Sequence, residues 1–169
     1  MDVATLRREK DELFGHSHDS PLTNEQRHAF TGLRYFPEDP AYRFEVALDP
    51  EPTQVVEAVE TSDGSTSELV RAGRLRFRVG DRDTELLAYE QGHSLFIPFR
   101  DRSSGNETYG AGRYVEAEPL GSGRYLLDFN RAYNPYCAYN ENWSCPLPPR
   151  ENWLEVEIRA GEQTFPHDA

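Results

Sequence analysis

Lysine is almost missing from this sequence. The chain has 18 lysine and arginine residues against 30 acidic residues, and only Lys10 is a lysine, which leaves a net charge of -12. Nucleic-acid phosphates and anionic membrane surfaces are bound by clustered cations, so we expect neither as a partner. High negative charge is also a property of salt-adapted proteins. The composition therefore suggests a halophilic protein, with an ordinary acidic protein as the alternative.

Long apolar segments are missing as well. No run approaches the roughly 20 residues that a membrane-spanning helix needs. The opening stretch MDVATLRREKDELFG has no apolar region of the kind found in secretory signals. We therefore expect a cytoplasmic location.

Cysteine is scarce, and its spacing excludes the common metal sites. Cys137 and Cys145 are the 2 cysteines of the chain. Structural zinc sites use closer pairs and two further ligands, so we expect no metal, and no motif indicates a cofactor. A reducing cytoplasm favours two free thiols. A disulfide, worth about 2–3 kcal/mol through loop entropy, stays open as the alternative.

The 169 residues predict a single domain, residues 1–169, with a helical segment before a β domain. Within residues 1–32, a helix is expected at 3–14, with Leu6, Leu13 and Phe14 on one face, and the capping-box pair Thr23 and Gln26 begins a second short helix. From 41 to 165 the hydrophobic period changes to two. Eight short alternating segments predict a mainly β fold, an antiparallel barrel or sandwich. They cover 42–48, 53–60, 73–80, 84–90, 93–99, 112–120, 123–129 and 152–161.

Two polar segments interrupt the strands. We call residues 98–113 the glycine loop and residues 128–152 the cysteine loop. Loops fixed to a rigid sheet are where binding and catalytic residues concentrate. The two loops therefore supply the candidate ligand-binding residues, which are Asp101, Thr108, Tyr109, Arg113, Asp128, Asn130, Tyr133, Asn134, Cys137, Glu151 and Asn152.

Several of these stretches resemble one known family. The motifs YFPEDPAYR, PFRDRSSGNETYGAGRY, LDFNRAYNPYCAY, CPLPPRENWL and IRAGE are similar to those of domain of unknown function 1684. The resemblance runs from the REKDELF helix to AGE. It implies a shared fold and a shared motif region in uncharacterised archaeal and bacterial proteins, and it implies no reaction.

The candidate residues support three hypotheses. The first is a binding module for a small polar or anionic ligand, in a pocket between the glycine and cysteine loops, with Arg113 for an anionic group. The second is a hydrolase that uses Asp101, Asp128 or Glu151 for acid–base chemistry, or Cys137. The third is a purely structural polar network or a homodimer interface, so the oligomeric state stays open. If Arg113 is structural, we expect it to pair with Asp128 or Glu151.

Overall fold

The computed structural model describes residues 1–166, and its centre is a closed antiparallel β-barrel. The strands are β1 (Arg43–Pro50), β2 (Val56–Glu60), β3 (Thr66–Val79), β4 (Arg82–Gln91), β5 (Ser94–Phe99), β6 (Arg113–Gly121) and β7 (Arg124–Asp128), and the helices are α1 (Val3–His16) and α2 (Asn24–Ala29). Six strands form the barrel in the order β1–β7–β6–β5–β4–β3, and β2 is an extra strand on β3. The predicted mainly β fold is confirmed, and it is a barrel rather than a sandwich.

Barrel closure depends on a glycine. The closing pair of strands is β1 and β3, which meet at Leu48 with Leu75 and at Pro50 with Gly73. Gly73 has a φ of +148°, and a Cβ there would lie 2.1 Å from the carbonyl oxygen of Asp49. Only glycine lets the two backbones approach this closely at the point where β3 bulges.

The barrel interior is filled by the inward residues of the alternating strands. Leu75, Phe77 and Leu86 are among those buried, and Phe77, Phe99 and Phe129 pack ring against ring. Leu75, Phe77 and Val79, which the alternation in residues 73–80 predicts to face inward, therefore do so.

The eighth predicted strand, residues 152–161, is not a strand. Residues 153–162, the crossing segment, run extended across the barrel end where β5 finishes and β6 begins. Ile158 and Ala160 enter the barrel core, so the predicted alternation is correct. The pairing is different because the segment bonds to side chains and loop backbone, including a Leu154 N–H to Arg100 O bond of 2.8 Å.

Both predicted helices are present. The Asp2 side chain caps α1 by accepting a hydrogen bond from the Thr5 N–H at 2.7 Å, and Thr23 with Gln26 forms the expected capping box of α2. Phe14 is buried as predicted, whereas Leu13 is 38% exposed. In residues 1–166 no helix is both long and apolar enough to cross a membrane.

Candidate functional site

The glycine loop is folded around a buried carboxylate. Asp101 accepts hydrogen bonds from the Ser103 hydroxyl at 2.8 Å and from the Ile158 N–H at 2.6 Å. The Thr108 hydroxyl lies 2.9 Å from that of Ser103, and both side chains are buried. The carboxylate thus joins the glycine loop to the crossing segment.

Arg113 is the second link between the barrel and the crossing segment. Its side chain is 0% exposed and lies 3.7 Å from Asp101. It donates to the carbonyl oxygens of Ile158 at 2.9 Å, Ala160 at 2.5 Å and Glu162 at 3.1 Å. Burial lowers the pKa of Arg113, and the nearby Asp101 carboxylate opposes this shift.

The expected partners of Arg113 were wrong. The structure pairs it with Asp101 and with backbone carbonyls, and Asp128 and Glu151 have other partners. A single guanidinium supplies several donors in a fixed fork, which suits three carbonyls that an extended segment would otherwise leave unpaired.

Asp128 and Asn130 hold the connector before β1 onto the barrel. Asp128 accepts from the Asn130 side chain at 2.9 Å and pairs with Arg43 at 3.3 Å. Asn130 in turn accepts the Asp39 N–H at 2.8 Å and donates to the Asp39 oxygen at 2.9 Å. These two predicted site residues are therefore neighbours, with a shared structural task.

Asn152 replaces missing sheet hydrogen bonds. Backbone pairing of β4 and β5 runs from Tyr89 with Phe96 to Gln91 with Ser94, and it does not continue to Leu87 and Pro98. The fully buried Asn152 amide fills this position. It accepts the Leu87 N–H at 2.8 Å and donates to the Leu87 and Pro98 oxygens at 2.9 Å each.

Glu151 is an exposed neighbour of Asn152 and belongs to a surface ion-pair group. It pairs with Arg71 at 3.2 Å and Arg74 at 2.8 Å. Each of the three predicted carboxylates therefore has its own partners: Asp101 binds the Ile158 N–H, Asp128 pairs with Arg43, and Glu151 pairs with Arg74.

The cysteine loop is docked on the barrel. Its anchors include the Tyr114 N–H to Tyr133 O bond of 2.8 Å and the Leu147 N–H to Glu60 O bond of 2.8 Å. Tyr109 of the glycine loop points its hydroxyl at the Cys137 sulfur, 3.9 Å away. Both cysteines are free thiols. No group of three or more histidine, cysteine or acidic side chains in the described residues is arranged to hold a metal ion.

A cleft with a volume of about 810 Å³ lies between α1 and the outer face of β6 and β7. The cysteine loop forms one wall. The opposite wall is α1, through residues such as Leu6, Arg7 and Lys10. None of the residues that line the cleft belongs to the glycine loop, so the cleft does not lie between the two loops. Four predicted site residues line this cleft, namely Asp128, Asn130, Tyr133 and Asn134, and seven do not, namely Asp101, Thr108, Tyr109, Arg113, Cys137, Glu151 and Asn152.

An ion pair between a buried carboxylate and a partly exposed ammonium lines this cleft. Glu162 is 2% exposed and pairs with Lys10, the only lysine of the sequence. The same carboxylate accepts the Tyr139 hydroxyl at 2.9 Å and the Asn134 N–H at 3.1 Å. The Lys10 ammonium also lies 5.0 Å from the centre of the Tyr133 ring. The cleft therefore has a fixed, internally neutralised charge pair.

Arg7 and Tyr35 also line the cleft. The Arg7 guanidinium lies 4.4 Å from the centre of the Tyr35 ring and donates to the Asn130 oxygen at 3.4 Å. Burial raises the pKa of Tyr35, so its hydroxyl keeps its proton. The Arg7 Nε, the Tyr35 hydroxyl and the Asn134 Oδ1 are buried atoms without a hydrogen-bond partner.

Sequence reasoning missed Arg7, Lys10, Tyr35 and Glu162 as site residues. Two signals could have indicated them. Lys10 is the single lysine in an arginine-rich chain, and Tyr35 and Glu162 fall inside motifs YFPEDPAYR and IRAGE, which carry the family resemblance. All four residues lie outside the glycine loop and the cysteine loop, from which the candidate residues were taken.

Comparison with known proteins supports the resemblance. A family model described as a protein of unknown function (DUF1684) matches residues 28–163. The chain is also similar to an uncharacterised protein of Haloarcula marismortui with a solution NMR structure, at 40% identity over 96% of this chain and 92% of that chain, with a TM-score of 0.75. None of the curated proteins compared with the chain matches it. These similarities concern sequence and fold, and they bring no activity with them.

Proposed function

The chain belongs to the DUF1684 family, and from this premise and the geometry of its cleft we propose that it binds a small ligand. The ligand joins an anionic group to an apolar body and lies between α1 and the β6–β7 face. The 810 Å³ cleft falls within the usual size range of small-molecule sites.

Three unpaired polar atoms carry this proposal. In residues 1–166 five buried side-chain nitrogen or oxygen atoms lack a hydrogen-bond partner, and three of them belong to the cleft-lining residues Arg7, Tyr35 and Asn134. An unpaired buried polar group costs about 1–3 kcal/mol, so native proteins rarely collect them in one place. These atoms are covered by neighbouring protein atoms, so a ligand that shifts the covering side chains would supply two acceptors and one donor to them.

Arg7 provides the charge for an anionic group. The Glu162 carboxylate neutralises Lys10, whereas the ion pairs of the described residues include none for Arg7. Guanidinium groups bind carboxylate and phosphate oxygens through parallel hydrogen bonds. We therefore keep the hypothesis of an anionic ligand and assign the binding of its anionic group to Arg7 instead of Arg113.

The remaining walls favour an apolar body. Phe96, Tyr114 and Tyr133 line the cleft, and Tyr114 packs edge-on against both other rings. Flat aromatic walls bind flat apolar groups well. Of the predicted residues, Asn130, Tyr133 and Asn134 stay in the proposed site. The hydrolase alternative has less support, because Asp101, Asp128 and Glu151 each have separate partners.

A charge-matched pair of probes tests the proposal. Benzoate and phenyl phosphate carry an anionic group on an aromatic ring, and benzamide is the neutral counterpart. At millimolar concentration the anionic probes should raise the thermal midpoint, change the fluorescence of the cleft residue Trp143 and shift NMR signals of the Tyr133–Pro135 stretch. Benzamide should do much less.

The decisive variant is Arg7→Gln, which removes the charge and keeps a polar side chain. It should weaken binding of the anionic probes at least tenfold, about 1.4 kcal/mol. Arg27→Gln is the matched control, because Arg27 also has a buried unpaired Nε but does not line the cleft. Equal binding by wild type and Arg7→Gln, or no response to any probe, would refute the proposal.

A further inference from the structure

The two cysteines are adjacent in space on the barrel surface. Cys137 lies in a 3-10 turn (Tyr136–Ala138), and its backbone N–H donates to the Cys145 sulfur at 3.3 Å. The Cys137 side chain also packs against the hydrophobic cluster that contains Cys145. Cys137 is partly exposed, whereas Cys145 is 8% exposed. Cys137 is thus the more exposed residue of the pair.

The β2–β3 turn fixes the position of Cys145. The Cys145 N–H donates to the Ser62 hydroxyl at 3.0 Å, and the Ser62 N–H donates to the Cys145 oxygen at 2.9 Å. Asp63 holds this turn through the hydroxyls of Thr61 at 2.6 Å and Ser65 at 2.7 Å. The second thiol therefore cannot move far from the first.

The surroundings of Cys137 stabilise its thiolate. The neighbouring Cys145, the Ser62 side chain and the Tyr109 hydroxyl, which donates to the Cys137 sulfur at 3.9 Å, lower the pKa of Cys137 to about 6. The neighbouring Cys137 and burial raise the pKa of Cys145, so Cys145 is the sulfur that keeps its proton. The other titratable groups that face the pair are Tyr109 and Tyr114, and burial raises the pKa of both phenols.

We propose that Cys137 and Cys145 form a peroxide-reactive thiol pair, in which Cys137 is the attacking sulfur and Cys145 resolves the product into an intramolecular disulfide. The thiol pair adjoins the cleft, because Cys145 also lines it, but the proposed reaction needs no ligand there. This proposal rests on the 3.3 Å bond from the Cys137 N–H to the Cys145 sulfur, the partial exposure of Cys137 and the burial of Cys145. The thiolate is the reactive form of cysteine, and an adjacent resolving cysteine is typical of reversible redox sites.

The reaction balances with a hydroperoxide as oxidant. The Cys137 thiolate attacks the outer peroxide oxygen, the O–O bond breaks, and the leaving oxygen takes a proton as water or alcohol. Cys137 then carries a sulfenic acid. The Cys145 sulfur attacks the Cys137 sulfur, the S–O bond breaks, and a second water leaves. The two thiols lose two electrons, and the peroxide gains them.

Hydrogen peroxide and mass spectrometry test the product. One equivalent should convert the two free thiols into a disulfide within the chain, which loses the mass of two hydrogen atoms and regains them with a dithiol reductant. Peptide mapping of the wild type should join Cys137 to Cys145. Unchanged thiols, disulfides only between chains, or direct formation of sulfinic acid would overturn the proposal.

Serine variants assign the roles. In Cys145→Ser, dimedone should trap a sulfenic acid at Cys137, because the resolving thiol is gone. In Cys137→Ser, Cys145 should stay reduced under the same treatment. The reverse pattern would refute the assignment. Thermal melts show whether both variants are folded. If one is not, the peptide map and the alkylation profile of the wild type decide which cysteine attacks.

The alkylation profile is an independent measurement on the wild type. Iodoacetamide should modify Cys137 at least about tenfold faster than Cys145 at pH 7. The rate at Cys137 should rise with pH and level off above a midpoint near 6. A midpoint above about 8, as for an ordinary thiol, would show that the surroundings do not activate Cys137.

Discussion

Replacing Arg113 by alanine should remove most of the stability of this fold. The guanidinium is fully buried, and it donates to three carbonyl oxygens of the crossing segment while it lies 3.7 Å from Asp101. No other donor for these three carbonyls is present among the described contacts. The substitution therefore leaves three buried acceptors and a buried carboxylate without their partner.

The size of the effect follows from these losses. An unpaired buried polar group costs about 1–3 kcal/mol, and breaking a buried ion pair costs about 3–5 kcal/mol. Asp101 keeps its bonds from Ser103 and the Ile158 N–H, which offsets part of the second cost. We expect a loss of about 4–6 kcal/mol, which is comparable with the whole stability of many domains. Arg113→Lys should recover only part, since one ammonium cannot replace the fork of donors.

Urea unfolding followed by circular dichroism measures the loss, and hydrogen exchange at Ile158 and Leu154 locates it. Arg102→Ala is the matched control. Arg102 also donates to the crossing segment, to the Glu155 oxygen at 2.8 Å, but it is exposed, so its loss should cost less than about 1 kcal/mol. A loss below about 1 kcal/mol in Arg113→Ala, equal to that of the control, would refute the assignment of Arg113 as the structural link.

Three further outcomes follow from the barrel and its charge. Asn152→Ala should cost about 2–4 kcal/mol in urea unfolding, because it leaves the Leu87 and Pro98 backbone groups unpaired; a loss under about 1 kcal/mol would contradict this role. Gly73→Ala should prevent barrel closure and unfold the chain by circular dichroism, whereas Gly64→Ala, where a Cβ meets nothing within 4 Å, should cost only about 1 kcal/mol. The net charge of -12 predicts a thermal midpoint that rises with potassium chloride, and a flat or falling midpoint would remove the halophile interpretation.

The hydrophobic period predicted most of the barrel, because side-chain direction is a local property of an extended chain. Residues 73–80 and 152–161 show the limit of this signal. Both alternate, and both direct the predicted side chains inward, but only the first belongs to a strand. Period two identifies extended backbone with one buried face. It does not identify the hydrogen-bond partner, which for the crossing segment is the side chain of Arg113, about 45 residues away in the sequence.

The candidate site was harder to predict, because polar motif residues serve two purposes that look alike in sequence. Asp101, Arg113 and Asn152 are polar residues in loops that prove to replace backbone hydrogen bonds at the barrel end. The cleft needed α1 to pack against β6 and β7, and no local pattern specifies that contact. Lys10 and Glu162 are 152 residues apart, so only the folded chain joins them.

The polar side chains at the barrel end and those in the cleft differ in how many of their buried atoms have a hydrogen-bond partner. At the barrel end the polar side chains are paired, apart from the Arg113 Nε, as expected of a network that holds backbone together. In the cleft three such atoms are unpaired. Glu162 belongs to both systems, because its carbonyl oxygen binds Arg113 and its carboxylate binds Lys10. Losing Arg113 would therefore disturb the cleft through Glu162, and lost ligand binding in that variant would not identify a contact. Arg7 lies in the cleft without a bond to the crossing segment, which makes it the residue whose substitution reports on the ligand itself.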